Sequence, residues 1–246
     1  MKSSPAWRDF SPMTKTGKTD DAAVPRRSMR RLREKENRCN TILKAAETLF
    51  GQKGYHQTSI EEIADLAEVS TGAVYFYFKN KEELLTKLMQ EIGHDLRKAV
   101  GEEYQKSEFS LDSFRNVAFA FLGDFCLRHP EKIAIFFRES VGQSVEVEEQ
   151  RKRVFVKLTS DIKDAIIRIS RGQGRNFATE RSPELIAVCI VGIYERIACH
   201  YLLWQDHSTE VLQMAEESAA FMLGGVNSLF APDVPKTGRR EKKAPK

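Results

Sequence analysis

Thr58 to Lys81 reads TSIEEIADLAEVSTGAVYFYFKNK, and the fold turns on how this stretch is understood. Thr58 has the side chain of a helix N-cap, and Glu61 three residues on completes a capping box. Ile60, Ile63, Ala64 and Ala67 then recur at helical spacing, which leaves one face of 59–67 apolar and the rest acidic. Val69 plugs the turn that follows. Ser70 is a second N-cap, opening a helix whose first turn, Thr71-Gly72-Ala73, is built of small side chains. Such a turn lets backbone approach a grooved surface, and the free N–H groups of a helix start suit phosphate. Val74 and Phe78 fall four apart and face the core, while the hydroxyls of Tyr75 and Tyr77 reach outward. The pattern predicts a helix-turn-helix whose second helix enters a DNA major groove by its N-terminal end. The competing reading is a helical hairpin buried in a bundle, with the aromatics as core.

The flanks decide between the two. An amphipathic helix ending in LFGQKGYHQTS, then IEEIADLAEVSTGAVYFYF, then KNKEELL, resembles the DNA-binding domain of the TetR family of bacterial transcriptional regulators over about residues 38–90. The resemblance implies an all-α chain, with a three-helix DNA-binding head and a larger helical domain that binds a small inducer and dimerises. It implies that Thr71, Gly72 and Ala73 face base edges and that Tyr75 and Tyr77 contact the DNA backbone. Lys81 then resembles the family's phosphate-binding lysine, and Thr58 caps the second helix towards phosphate. Tyr77 stands where many relatives carry histidine, which leaves its partner atom open.

Charge is distributed unevenly. Residues 1–38 hold eleven Lys/Arg against five Asp/Glu, and residues 236–246 hold six against one. With a net charge of +4 overall, residues 39–235 carry −7. DNA attraction must therefore come from a few placed cations, helix starts and the tails. The expected boundaries are a disordered basic arm over 1–35, a head over 36–96 with its motif at 59–78, a helical ligand-binding and dimerisation domain over 97–231, and a disordered basic tail over 232–246. The basic run Arg26–Arg38 is either a solvated face or an arm lying along phosphates or the minor groove. The four cysteines show no metal spacing, and reduced, mostly buried thiols are expected. No signal-peptide core is apparent, and no apolar run approaches the roughly 20 residues that cross a bilayer. A cytoplasmic protein without membrane contact is the expectation.

Beyond the motif the periodicity stays helical. Helices are predicted over about 36–53, 81–104, 111–127, 131–141, 146–171, 183–204 and 209–229, with Ser182 as an N-cap before Pro183. Gly93 and Gly101 could permit bending in the helix that leads away from the motif. In the last helix Val211, Ala215, Ala219, Met222 and Val226 repeat at nearly four-residue spacing. The final two helices are apolar over more than one face, which points to a four-helix interface between two copies, the alternative being an ordinary core. Seven of the fifteen phenylalanines fall between Phe109 and Phe137. Phe121, Phe125, Phe136 and Phe155, with Ile162, are read either as plain core or as a ligand chamber, for which an apolar or acyl-type effector is the expected occupant. Arg138 and Glu195 are candidate partners beside it, because a buried charge needs one.

The expected function is a homodimeric repressor that binds a palindromic double-stranded operator and releases it when a small molecule binds. A transcriptional activator or a ligand-independent DNA binder is the alternative. Catalysis, cofactors and metals are not expected: the sequence has no paired carboxylates at catalytic spacing, no phosphate-cradling glycine loop, and scattered histidines.

Overall fold

Helix α1, Arg26–Lys53, opens the computed structural model, which describes residues 26–232 apart from 107, 109, 206 and 207. Predicted to start near residue 36, α1 begins ten residues earlier, so the basic run to Arg38 is helical and not a disordered arm. Strong helix formers fill it, and Arg30 Nε donates to Glu34 Oε1 at 2.8 Å across one turn. The disorder expected for 1–25 and for most of 232–246 lies outside the described residues. Ile42, Leu43, Ala46 and Phe50 bury the core-facing stripe of α1. Gly54, with φ +92°, ends the helix in a conformation that favours glycine.

Helices α2, Ile60–Leu66, and α3, Thr71–Tyr77, follow as the motif predicts, joined by a turn in which Glu68 has φ 53°. The cap of α2 is one residue later than expected. Ser59 accepts from the Glu62 N–H at 3.2 Å and Glu62 Oε2 accepts from the Ser59 N–H at 2.8 Å, which makes the capping box Ser59–Glu62. Asn80 caps α4, Lys81–Lys106, which runs from the head into the body.

The body comprises α5, Leu111–Ala118; α6, Pro130–Ala134; α7, Val145–Gly172; α8, Ser182–Ile197; and α9, Val211–Ser228. Three of them continue as π-helix: Phe119–Cys126 after α5, Ile135–Glu139 after α6, and Ala198–Trp204 after α8. Such widened turns collect at functional sites. Ser182 lies inside α8, buried, with its Oγ 3.0 Å from Thr179 Oγ1, and Arg181 takes the cap position instead. Among the described residues the only β pairing is an isolated bridge between Phe177 and Phe230, whose rings stack 4.5 Å apart.

Two close approaches fix the frame. A Cβ on Gly93 would lie 2.6 Å from Val154 Cγ1, so the α4 backbone packs directly on the Val154 side chain of α7. Arg97 Nε pairs with Asp161 Oδ2 at 2.5 Å beside that contact. A Cβ on Gly51 would lie 2.5 Å from Glu131 Cβ, which seats α1 directly on α6. Glycine serves as a spacer at both points, and at Gly93 this replaces the bending role considered from sequence.

Candidate DNA interface and effector chamber

Val74 is fully buried and Phe78 nearly so, and these two anchor α3 to the head. The rest of α3 is turned outward. Tyr75 is 53% and Phe76 72% exposed, Tyr77 and Thr71 are half-buried, and Gly72 is exposed. Ser70 Oγ accepts from the Ala73 N–H at 3.2 Å and fixes the start of the helix. A Cβ added to Gly72 would meet only Ser70 Oγ, at 3.9 Å, so nothing inside the protein requires glycine there. Lys35 of α1 stands 5.6 Å from the Phe76 ring centre, which brings the basic start of α1 beside the reading helix. The sequence did not place that contact.

Two expected site residues turn inward. Thr58 is only 2% exposed and its Oγ1 donates to the Gly54 carbonyl at 2.8 Å, so it neither caps α2 nor faces phosphate. Lys81 Nζ donates to the carbonyls of Tyr55 at 2.7 Å and Thr58 at 2.9 Å and lies 4.4 Å from the Tyr55 ring centre. Burial holds its pKa below the usual lysine value. Lys81 clamps the α1–α2 loop, with one N–H left to donate. The same loop is held from the body: Glu139 Oε2 accepts from the Tyr55 N–H at 2.8 Å.

In the body, Phe121, Phe136, Phe155, Ile162 and Glu195 line one apolar crevice, as expected. Phe125 does not. It stacks on Phe121 at 6.4 Å, away from the crevice lining. The Arg138–Glu195 pair does not form. Arg138 points outward and its Nε pairs with Glu139 Oε1 at 2.6 Å, while Glu195 meets Arg151 Nη2 at 3.5 Å. Arg151 also lies 5.0 Å from the Phe155 ring centre, a contact the sequence reading missed. A second crevice, reaching Ile169 and Met222, shares Tyr104, Val117, Ile190 and Tyr194 with the first. The Tyr194 hydroxyl is buried between them beside the Ser218 side chain, and burial pushes the phenols of Tyr104 and Tyr194 well above their ordinary pKa. The free volumes are only about 20 and 30 Å3, room for a water or two each, since one water needs about 10–15 Å3.

The repeat Val211, Ala215, Ala219, Met222 and Val226 is buried in the chain's own core and is not itself an interface. The opposite face is the open one: Leu185, Val188, Leu212 and Phe221 are 52, 54, 48 and 73% exposed. With both faces apolar, Ser182–Trp204 is long and apolar enough to cross a membrane by length and composition alone, although Glu195 and Arg196 interrupt it. Cys126 and Cys199 are buried, their thiols pushed up by burial; Cys39 is half-buried, and Cys189 is exposed on α8.

Residues 42–88 match the family described as bacterial regulatory proteins, tetR family. The chain is 28% identical over 158 residues to the uncharacterized HTH-type transcriptional regulator YhgD of Bacillus subtilis, covering 64% of this chain and 81% of that one. It is 26% identical over 173 residues to the HTH-type transcriptional repressor NicS of Pseudomonas putida, covering 69% and 77%. A crystal structure of the transcriptional regulator FadR from Bacillus subtilis in complex with stearoyl-CoA shares the fold. Its TM-score is 0.65 at 16% identity, over 75% of this chain and 97% of that one. An outward helix with a bare first turn, an all-helical body and these relatives lead to one assignment: the chain is a DNA-binding transcriptional regulator whose residues 42–88 form a TetR-type DNA-binding domain.

Proposed function

We propose that the protein is a cytoplasmic, homodimeric repressor that holds a palindromic operator with two copies of α3 and lets go when an apolar or acyl-type effector enters the aromatic crevices. The observation that carries the DNA-reading half is the exposed first turn of α3, where Gly72 has open space around it. Thr71, Gly72 and Ala73 then meet base edges, and Tyr75 and Tyr77 meet the backbone. The twofold partner is supported by the exposed apolar face of α8 and α9, and a symmetric pair presents two reading heads to two half-sites. The acyl-type occupant is supported by the apolar lining and by a protein of this fold crystallised with stearoyl-CoA.

A second reading, DNA binding that needs no effector in the crevices, is favoured by how little free volume the phenylalanines leave. Under the first reading an effector must displace those side chains, opening a minor conformation. Two experiments test the pair. Selection of bound DNA from random sequence should return a palindrome, and Thr71→Ala should change base preference at fixed positions. Equal losses on selected and random DNA would remove Thr71 from the reading surface. Stearoyl-CoA added to the operator complex should release it under the first reading, and an undisturbed complex would leave the second.

A further inference from the structure

A cleft of about 380 Å3 opens between α4 and α7, far roomier than either aromatic crevice, and shares no lining residue with them. Its chemistry is the reverse of theirs. His94 and Arg97 come from α4, and Gln150, Arg153 and Lys157 from α7, with the Gly93–Val154 contact as part of its wall. No carboxylate lines it. Arg97 is paired with Asp161 at 2.5 Å, whereas neither Arg153 nor Lys157 has a carboxylate partner among the described residues.

Gln150 supplies an independent observation. It is only 6% exposed, a buried polar side chain on an otherwise apolar stripe of α7. Its Oε1 accepts only long contacts, 3.5 Å from both Gln90 Nε2 and Arg153 Nη1. Its amide N–H groups donate to no protein atom among the described residues, although the side chain lines the cleft. The Gln150 amide opens on the cleft and is reached by its water, which an acceptor from outside can displace.

We infer that this cleft binds a small phosphorylated ligand. Lys157 supplies a point charge to the phosphate oxygens, Arg153 a planar fork, and the Gln150 amide a neutral donor from the floor. Charge-assisted bonds of this kind favour an anion with several acceptor oxygens over chloride or a single carboxylate. The cleft lies on α4, the helix that begins at the DNA-reading head, so an occupant bridges the two helices that Arg97 and Asp161 already clamp.

The test is calorimetric titration of the full chain with inorganic pyrophosphate at constant ionic strength, with sulfate as the comparison ion. Saturable pyrophosphate binding is expected, weakened at least tenfold in Arg153→Gln/Lys157→Gln. The variant Lys98→Gln/Lys152→Gln makes the same charge change at exposed positions outside the cleft and should match the wild type. This pair separates the cleft from the other cations of the protein, those of α1 included. Arg153 and Lys157 are exposed, so melting in buffer should not change. If it does fall, Lys157→Gln alone carries the comparison, with at least threefold weaker binding expected. No saturable binding, equal binding in the cleft and control variants, or an equal response to sulfate would overturn the inference.

Discussion

Lys81 shows how a single side chain can hold two jobs that experiment can separate. Two of its N–H groups are spent on the Tyr55 and Thr58 carbonyls, which leaves one for a DNA phosphate. As a phosphate contact, Lys81→Ala should weaken binding alike on all sequences and lower the salt slope by about one unit. As a loop clamp alone, it should leave the slope unchanged and lower the melting temperature. Measuring both quantities on the same variant decides. Glu139 is the counterpart on the body side, accepting from the Tyr55 N–H at the end of the π-helical turn that carries Phe136 and Phe137. Truncation to Ala removes a charge-assisted bond and should cost about 1.5–3 kcal/mol in chemical denaturation. An unchanged midpoint would mean that the contact holds nothing. At this scale the sequence was legible wherever a residue had one chemical role, as with Val74, Phe78 and Ser70. It misled where two registers overlap: TSIEE contains both Thr58-x-x-Glu61 and Ser59-x-x-Glu62, and only the burial of Ile60 and Ile63 selects the second. Arg138 was likewise matched to the distant Glu195 as a buried charge, whereas it is exposed and pairs with Glu139, the next residue.

At the level of helices, periodicity found the segments and missed how they are held apart. The extension of α1 over Arg26–Arg38 was hidden because its residues are charged on every side, and no apolar stripe marks a solvated helix. The π-helical turns were also invisible, since a run of apolar side chains does not say which i→i−4 bond gives way. Gly93 was read as a possible bend and is a spacer. Gly93→Ala should therefore destabilise by about 1–3 kcal/mol through overpacking against Val154, measured by denaturation. Val154→Ala in the same chain should return much of the loss, and failure of that rescue would mean that the α4–α7 distance is set elsewhere.

For the whole molecule, the face shared by α8 and α9 is where the proposal of a symmetric pair stands or falls. Phe221→Glu places a charge on the exposed apolar surface and should give a monomer in sedimentation with its helix content intact. The same variant should lose affinity for a palindrome while keeping weak binding to a single half-site. A Phe221→Glu protein that still sediments as a dimer would move the interface to another face. The architecture was legible in the sequence because the head's motif is dense and short-range. The exposed apolar face was half legible: apolarity on two sides of the last helices was plain, but which side belongs to the core emerged only from packing.

The seat of α1 on α6 bears on what the reading head is free to do. With no methyl group at Gly51 and the Glu131 backbone directly beneath it, helix meets helix with no slack for sliding. Any reorientation of α3 must carry the lower body with it, as a key turns with its bow. In the proposed dimer, adjustment to a mismatched half-site spacing therefore falls on the contact between protomers, and tolerance for altered spacing becomes a measure of how stiff that contact is.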